Sequence, residues 1–320
     1  MVVVSAAPAD PAYQEQMREA IRRHDGGDFA GAITIYRSLL KDYPHEPNVV
    51  FELSLSMQAG NSPPAEQIEF IEAELKSKVV QLPQLYATLA AAYDTKGDLA
   101  KGEATLRKGL KVGAKSADLH FNLGINLIMQ HRSKDAEAPL KTAVQLKPDW
   151  PSAWRALAQA LEDNHKLLEA FLVKARFVAL EPGSPRGRRA AQTLWPLLMT
   201  GVEKKPGKDG KERIDVNMGN TEDLMMSLTA ATRYTKEKLS DGEFFVSALR
   251  DLVAYTTEEK NRPFLREAAS LFIEAKEGAV LDALCWELRR AADDPNADTW
   301  FATHRKESAR LDEFMRSRRR

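Results

Sequence analysis

The chain has 320 residues, of which 43% are hydrophobic and 29% are charged, a composition typical of globular proteins rather than of disordered chains. Its 46 Lys and Arg residues balance 46 Asp and Glu residues, which argues against a general nucleic-acid-binding protein, and no apolar run is long enough for a membrane span. The single Cys excludes a disulfide framework and any zinc or iron–sulfur site built from cysteines.

Residues 1–12 begin with a short apolar stretch that has no basic segment before it, unlike a secretory signal peptide. We therefore predict a disordered tail over residues 1–12 and a cytoplasmic protein.

Small and apolar residues recur after this tail at a period of about 34 residues, which is typical of stacked helical repeats. Gly124 and Ala136, for example, return as Ala158 and Ala170. Five repeats follow one another at this period, with the longest interval before the third. They begin near Tyr13, Pro47, Pro83, Ala117 and Pro151.

Each repeat is predicted to be a pair of helices joined by a tight turn. In the third repeat, apolar residues at helical spacing lead to the turn Lys96-Gly97-Asp98, and a second helix then runs from Leu99 to Lys111. The fourth and fifth repeats carry His131 and His165 at this turn, so we predict turn residues with positive φ rather than metal ligands. Because one helix pair cannot bury its apolar face alone, the repeats are expected to stack.

The residues Leu123-Gly124, Ala136, Leu140, Ala143 and Pro148 resemble the tetratricopeptide repeat (TPR) family. The resemblance covers roughly residues 13–184 and implies an all-α fold, a right-handed superhelix of about five helix-turn-helix units. A further helix that begins at Ser184-Pro185 is expected to close the solenoid, so we assign residues 13–200 to one domain.

The composition changes at Gly201. Residues 201–219 are rich in charge, Pro and Gly and are predicted to be a linker or loop, with one short strand over residues 214–218. Residues 220–320 are predicted to form a smaller helical domain that resembles no family. Its expected helices start at Asn220 or Thr221 and then cover residues 244–255, 263–276, 279–292 and 298–315.

Motifs for catalysis are nearly absent. The spacing from Gly201 to Gly207-Lys208-Asp209 is one residue too long for a phosphate-binding loop, and Asp209 replaces the hydroxyl that would hold magnesium. Cys285 lies in an apolar helix and is expected to be a buried, inert thiol. We therefore predict no enzyme activity, no cofactor and no metal site.

The TPR resemblance implies that the first helix of each repeat lines a concave groove that binds a peptide segment of another protein. Asn122 can exchange hydrogen bonds with a peptide backbone, and Arg155 can pair with a carboxylate. Phe121, Ile125 and Met129 suggest an apolar strip for hydrophobic anchors of the partner. The predicted groove residues are Asn48, Phe51, Leu55, Thr88, Ala91, Asp94, Phe121, Asn122, Ile125, Met129, Arg155, Gln159 and Glu162.

The interpretation at this point is an adaptor or scaffold without catalysis, with a protein partner and no nucleic acid. Three alternatives stay open. The repeats could self-associate into a homo-oligomeric scaffold, or residues 220–320 could hold a cryptic enzyme domain to which the repeats bring substrate. The groove could also be covered by the carboxy-terminal half of the chain or by a second copy.

Overall fold

The computed structural model describes residues 10–77, 80, 82–200, 202–206, 212–216, 241–258 and 263–318. Before residue 200, the described residues form the helices α1 Pro11–Asp25, α2 Phe29–Asp42, α3 Pro47–Ala59, α4 Pro64–Lys76, α5 Pro83–Lys96, α6 Leu99–Val112, α7 Ala117–Met129, α8 Ser133–Leu146, α9 Pro151–Asp163, α10 Leu167–Leu180 and α11 Pro185–Leu198. The remaining described residues form β1 Val202–Pro206, β2 Glu212–Val216, α12 Asp241–Glu258, α13 Pro263–Ala268, α14 Ser270–Glu277, α15 Leu281–Ala291, α16 Pro295–Thr303 and α17 Arg305–Ser317.

Local chemistry sets the boundaries of the repeat helices. Proline occupies the first position of α3, α5 and α9, where its missing N–H removes no helical hydrogen bond. Asp28 and Asp98 begin the second helices of their repeats, because each carboxylate accepts a hydrogen bond from the backbone N–H three residues later. The chain therefore carries start signals for both helices of a repeat.

A left-handed residue ends the first helix of every repeat. Its φ is 82° at Gly27, 53° at Asn61, 87° at Gly97, 58° at His131 and 55° at His165. These positions recur at the predicted period, with the longest interval between Asn61 and Gly97. The five helix pairs, the all-α architecture and the turn role of the two histidines are thereby confirmed.

The chain divides into two compact units, which are named here the amino-terminal unit (Met1–Leu146) and the carboxy-terminal unit (Lys147–Arg320). The amino-terminal unit holds α1 to α8, in which each helix packs against the next. Among its described residues, α1, α3, α5 and α7 also contact one another in succession, whereas the second helices make fewer such contacts. The first helices therefore form the inner side of this stack.

Small residues allow the paired helices to approach, as predicted. Ala90 and Ala136 are fully buried, and a Cβ on Gly124 of α7 would collide with the side chain of Leu140 on α8. The first repeat also buries Leu53 and Met57 of the second repeat in one apolar cluster. Stacking therefore completes a core that a single helix pair lacks.

The carboxy-terminal unit combines the last helix pair with the helices that follow it. Phe171 of α10 lies against Phe245 of α12 at 6.0 Å between ring centroids, and the Arg289 guanidinium of α15 covers both Trp195 of α11 and Phe245. The sequence predicted a boundary near residue 200. The structure divides the chain at Leu146 instead, because α10 and α11 pack against the carboxy-terminal helices and α9 packs against α10.

The structure differs from the sequence prediction in several segments. The expected helix over residues 263–276 is two helices that meet at Ala269, and the expected final helix is two helices that meet at His304. The predicted loop over residues 201–219 contains the antiparallel pair β1 and β2, with Val202 opposite Val216. Asp10 caps α1 at Ala12, so the last residues of the predicted tail are helical.

The helix expected from Asn220 or Thr221 lies outside the described residues, as do residues 1–9. Within the described ranges, no helix is both long enough and apolar enough to cross a membrane.

Candidate partner-binding cleft

A cleft of about 270 Å³ opens between α5 and α7 of the amino-terminal unit. Five of its lining residues were predicted as groove residues, and Thr95 was missed although it lies one helical turn after Ala91 on the same face. The cleft is lined by Ala91, Asp94, Thr95, Asn122, Ile125 and Met129.

One wall of the cleft is apolar. The side chain of Met129 is 46% exposed, the largest exposure of any large hydrophobic residue in the described part of the chain, and Ile125 beside it is half-buried. Apolar side chains at hydrophobic positions along a groove are the kind that accept the anchors of a bound peptide. This wall matches the apolar strip that the sequence predicted, except that Phe121 is not part of the lining.

Asp94 is held in place by a buried asparagine. Asn126 Nδ2 donates a hydrogen bond of 2.6 Å to Asp94 Oδ1 and another of 3.0 Å to the backbone oxygen of Leu99. Burial raises the pKa of Asp94, and the hydrogen bond from Asn126 opposes this shift only in part. The carboxylate at the cleft is therefore poorly compensated in its charged form.

The hydrogen bonds of Asn126 continue away from the cleft. Its Oδ1 accepts a bond of 2.7 Å from Gln130, whose amide also donates to Glu103 at 3.0 Å. Burial raises the pKa of Glu103, but hydrogen bonds from Arg107, Gln130 and Arg132 outweigh burial and the net shift is downward. Asn126 was not predicted, since a polar residue on the packed face of a helix resembles a surface position in sequence.

The predicted groove residues outside the cleft divide by environment. Asn48 is exposed and donates to Glu46 Oε1 at 3.2 Å, whereas Phe51 and Leu55 are half-buried on the same helix, α3. Thr88 is only 5% exposed and donates to the backbone oxygen of Gln84, so it faces the packing rather than the cleft.

The three predicted residues on α9 belong to the carboxy-terminal unit. Arg155 is exposed there. Gln159 donates to Asp163 Oδ1 at 2.7 Å, and Glu162 forms an ion pair with Lys174. Two of these three side chains therefore have partners within their own unit.

A second cleft, of about 500 Å³, lies in the carboxy-terminal unit. Arg250 donates to both carboxylate oxygens of Asp282 at 2.7 Å, and these hydrogen bonds raise the pKa of Arg250. The imidazole of His304 stacks on Trp300 with ring centroids 4.2 Å apart. The cleft is lined by Arg250, Lys276, Ala279, Leu281, Asp282, Ala283, Trp300, His304 and Glu307.

Cys285 and the potential metal ligands are the other chemistry-bearing groups of the described residues. Cys285 is fully buried, and burial raises the pKa of its thiol, which disfavours the reactive thiolate. In the described ranges, no three His, Cys, Asp or Glu side chains converge in a way that could hold a metal ion.

No family model and no curated protein matches this sequence. Among solved structures, the chain is similar to TTC0263, a TPR protein of Thermus thermophilus, with 24% identity and a TM-score of 0.47 over 57% of this chain and 98% of that one. It is also similar to MamA, with 19% identity and a TM-score of 0.44 over 52% and 91% of the two chains. A MamA structure from Desulfovibrio magneticus RS-1 has 17% identity and a TM-score of 0.42 over 47% and 82%. The likeness concerns the fold alone, and the turn spacing and helix pairs of this chain described above do not depend on it.

Proposed function

We propose that this protein is an interaction scaffold that binds a peptide segment of another protein in the cleft between α5 and α7. The observation that carries the proposal is the exposed apolar wall of Ile125 and Met129 beside the free amide of Asn122. Among the described residues, the Asn122 side chain has no hydrogen-bond partner, so both its donor and its acceptor are available to a peptide backbone.

The size of the cleft also supports a peptide rather than a small-molecule ligand. Pockets for drug-sized ligands are typically about 300–1,000 Å³ and enclose most of the ligand. A cleft of about 270 Å³ is below this range and fits one or two side chains of an extended or helical segment. The apolar wall would supply affinity, and Asn122 would fix the direction of the backbone.

The test uses the full chain and a displayed library of random peptides. Peptides that bind the full chain are measured against Met129→Ser and Asn122→Ala, and each substitution is expected to weaken binding about tenfold, since each removes one apolar or hydrogen-bonding contact. Ile21→Ser is the matched control, because Ile21 is 39% exposed on α1, outside the cleft.

Equal binding to all variants would contradict the proposal. A second copy of the chain is the competing occupant of the cleft, and light scattering tests for it. A mass that rises with concentration in the wild type but not in Met129→Ser would assign the apolar wall to self-association.

A further inference from the structure

We propose that Asp94 selects a cationic side chain, Lys or Arg, in the segment that occupies the cleft. This inference rests on the proposed function, because it specifies which partner segment the same cleft accepts. It follows from the charge of the cleft, the way Asp94 is positioned, and the apolar surface beside it.

The only charge among the residues that line the cleft is negative. Of the six lining side chains, Asp94 alone is charged, and the others are apolar or neutral. Among the described residues, no Lys or Arg forms an ion pair with Asp94, and its side-chain hydrogen bond is the one from Asn126. The carboxylate is half-buried with one neutral donor, so a cation supplied by a partner would complete its environment.

Asp94 is positioned by Asn126 and by the absence of a side chain at Gly102. Asn126 is fully buried, with its amide fixed at Nδ2 by the backbone of Leu99 and at Oδ1 by Gln130. A Cβ on Gly102 would collide with the Asp94 carboxylate and would lie 2.8 Å from Asn126 Nδ2. The glycine therefore leaves the space in which the carboxylate and the amide meet, and the carboxylate keeps one orientation.

The surface next to Asp94 suits the stem of a long cationic side chain. Lys and Arg carry apolar methylene groups below the charge, and they pack these groups on apolar surface while the charged end reaches a polar partner. Ile125 and Met129 provide such a surface in the same cleft, and Thr95 adds a hydroxyl at its rim. A hydrophobic side chain of the partner would pack on the apolar wall but would bury the Asp94 carboxylate without a compensating charge. The burial of an uncompensated charge disfavours binding of such a side chain.

The test starts from a library peptide that binds the full chain and loses affinity for Met129→Ser. Its Lys or Arg residues are replaced one at a time by Gln, and both forms are titrated with the wild type, Asp94→Asn and Asp42→Asn. The amide introduced by Asp94→Asn retains an oxygen that accepts from Asn126, so the substitution removes the charge and keeps the hydrogen bond. Asp42 is an exposed carboxylate at the end of α2 and serves as the matched charge control.

We expect Asp94→Asn to weaken the cationic peptide about tenfold, as for one charge-assisted hydrogen bond in a partly buried site. The Gln peptide should bind the wild type and Asp94→Asn equally, and Asp42→Asn should change neither affinity. A cleft-dependent peptide without Lys or Arg, or equal losses for both peptides, would overturn the role of Asp94 and leave the proposed function intact. If no peptide depends on Met129, both proposals fail.

Discussion

The two compact units use the same kind of turn with different regularity. In the amino-terminal unit, Gly27, Asn61, Gly97 and His131 place left-handed residues at nearly constant intervals. In the carboxy-terminal unit, His165 continues this series, whereas the helix ends at Ala279 and Asp293 also have positive φ, with values of 55° and 61°, but follow no repeat. A left-handed turn alone therefore does not produce stacked repeats. Stacking requires that the turn recur at a regular interval together with small residues at matching positions.

The two units also differ in how the boundaries of their helices are specified. In the repeats, proline and aspartate start signals lie in the sequence next to the helix that they begin. In the carboxy-terminal unit, the break between α13 and α14 depends on a residue far away in sequence: Arg176 Nη1 of α10 donates to the backbone oxygen of Glu267 at 3.1 Å and to Ser270 Oγ at 2.6 Å. The break between α13 and α14 is thus held by a contact distant in sequence, whereas α16 of the same unit begins at the local signal Asp294-Pro295, as the repeat helices do.

The largest effect is expected from Trp154→Ala, which tests whether the carboxy-terminal unit unfolds as one body. Trp154 is fully buried, donates from Nε1 to the Pro148 backbone oxygen at 2.8 Å, and lies under the Arg176 guanidinium, 4.4 Å from its ring centroid. Removing it should cost about 3–5 kcal/mol of unfolding free energy, measured by urea unfolding followed by circular dichroism.

Arg155→Ala is the control for this variant, because the neighbouring Arg155 is exposed and should leave the urea midpoint unchanged. Hydrogen exchange then locates the damage. We expect amide protection to fall in α13 and α14 as well as in α9 and α10, since Arg176 connects them. Loss of protection confined to α9 and α10 would show that the last helix pair is independent of the carboxy-terminal helices.

The next largest effect is expected in the amino-terminal unit, from Asn126→Ala. The substitution removes two donated hydrogen bonds and leaves the Leu99 oxygen and the Asp94 carboxylate without this partner. Leaving buried polar groups unsatisfied costs about 1–3 kcal/mol, and urea unfolding should show a loss in this range. Gln130→Ala is the milder comparison, and a loss as large as that of Asn126→Ala would place the main contribution outside the cleft.

The sequence predicts the repeats well because periodicity, helix starts and turn residues all agree. The first helices that it placed at Pro47, Pro83, Ala117 and Pro151 begin at those residues in the structure. The breaks at Ala269 and His304 could not be predicted, since neither position carries a Pro or Gly. His304 is the residue that follows the last turn of α16, and its ring stacks on Trp300 one helical turn earlier.

The candidate site was predicted to a similar extent. The TPR resemblance identified the inner face of α5 and α7, and with it Asp94, Asn122, Ile125 and Met129. It could not show that Asn126 fixes Asp94, because that contact joins two helices from different repeats. It also named Glu162, whose ion pair with Lys174 depends on packing between α9 and α10.

A third prediction compares the left-handed turns of the two units by opposite substitutions. Gly97→Ala places a side chain at φ 87° and should cost about 1–2 kcal/mol, because the open space around it leaves backbone strain as the main effect. Ala279→Gly relieves the same strain at φ 55° and should stabilise by up to about 1 kcal/mol, reduced by the greater freedom of glycine in the unfolded chain. Urea midpoints check both. Substitutions that act in the same direction would contradict a shared turn geometry.

The smallest effect is expected from Asp94→Asn, and its sign depends on pH. Because burial raises the pKa of Asp94 in the folded state above its ordinary value of 3.8, the ionised carboxylate opposes folding at neutral pH. Asp94→Asn should therefore raise the urea midpoint at pH 7, and the gain should shrink as the pH falls through the raised pKa and vanish below about 3.8, where Asp94 is protonated in both states. Asp42→Asn, measured in parallel, controls for the loss of a negative charge from the unit.

If Asp94→Asn instead lowers the midpoint at pH 7, the charged hydrogen bond with Asn126 outweighs burial, and Asp94 stabilises the helix stack. If the midpoint rises, the chain keeps at its cleft a carboxylate that its own fold disfavours, as expected for a group whose compensating charge belongs to a partner.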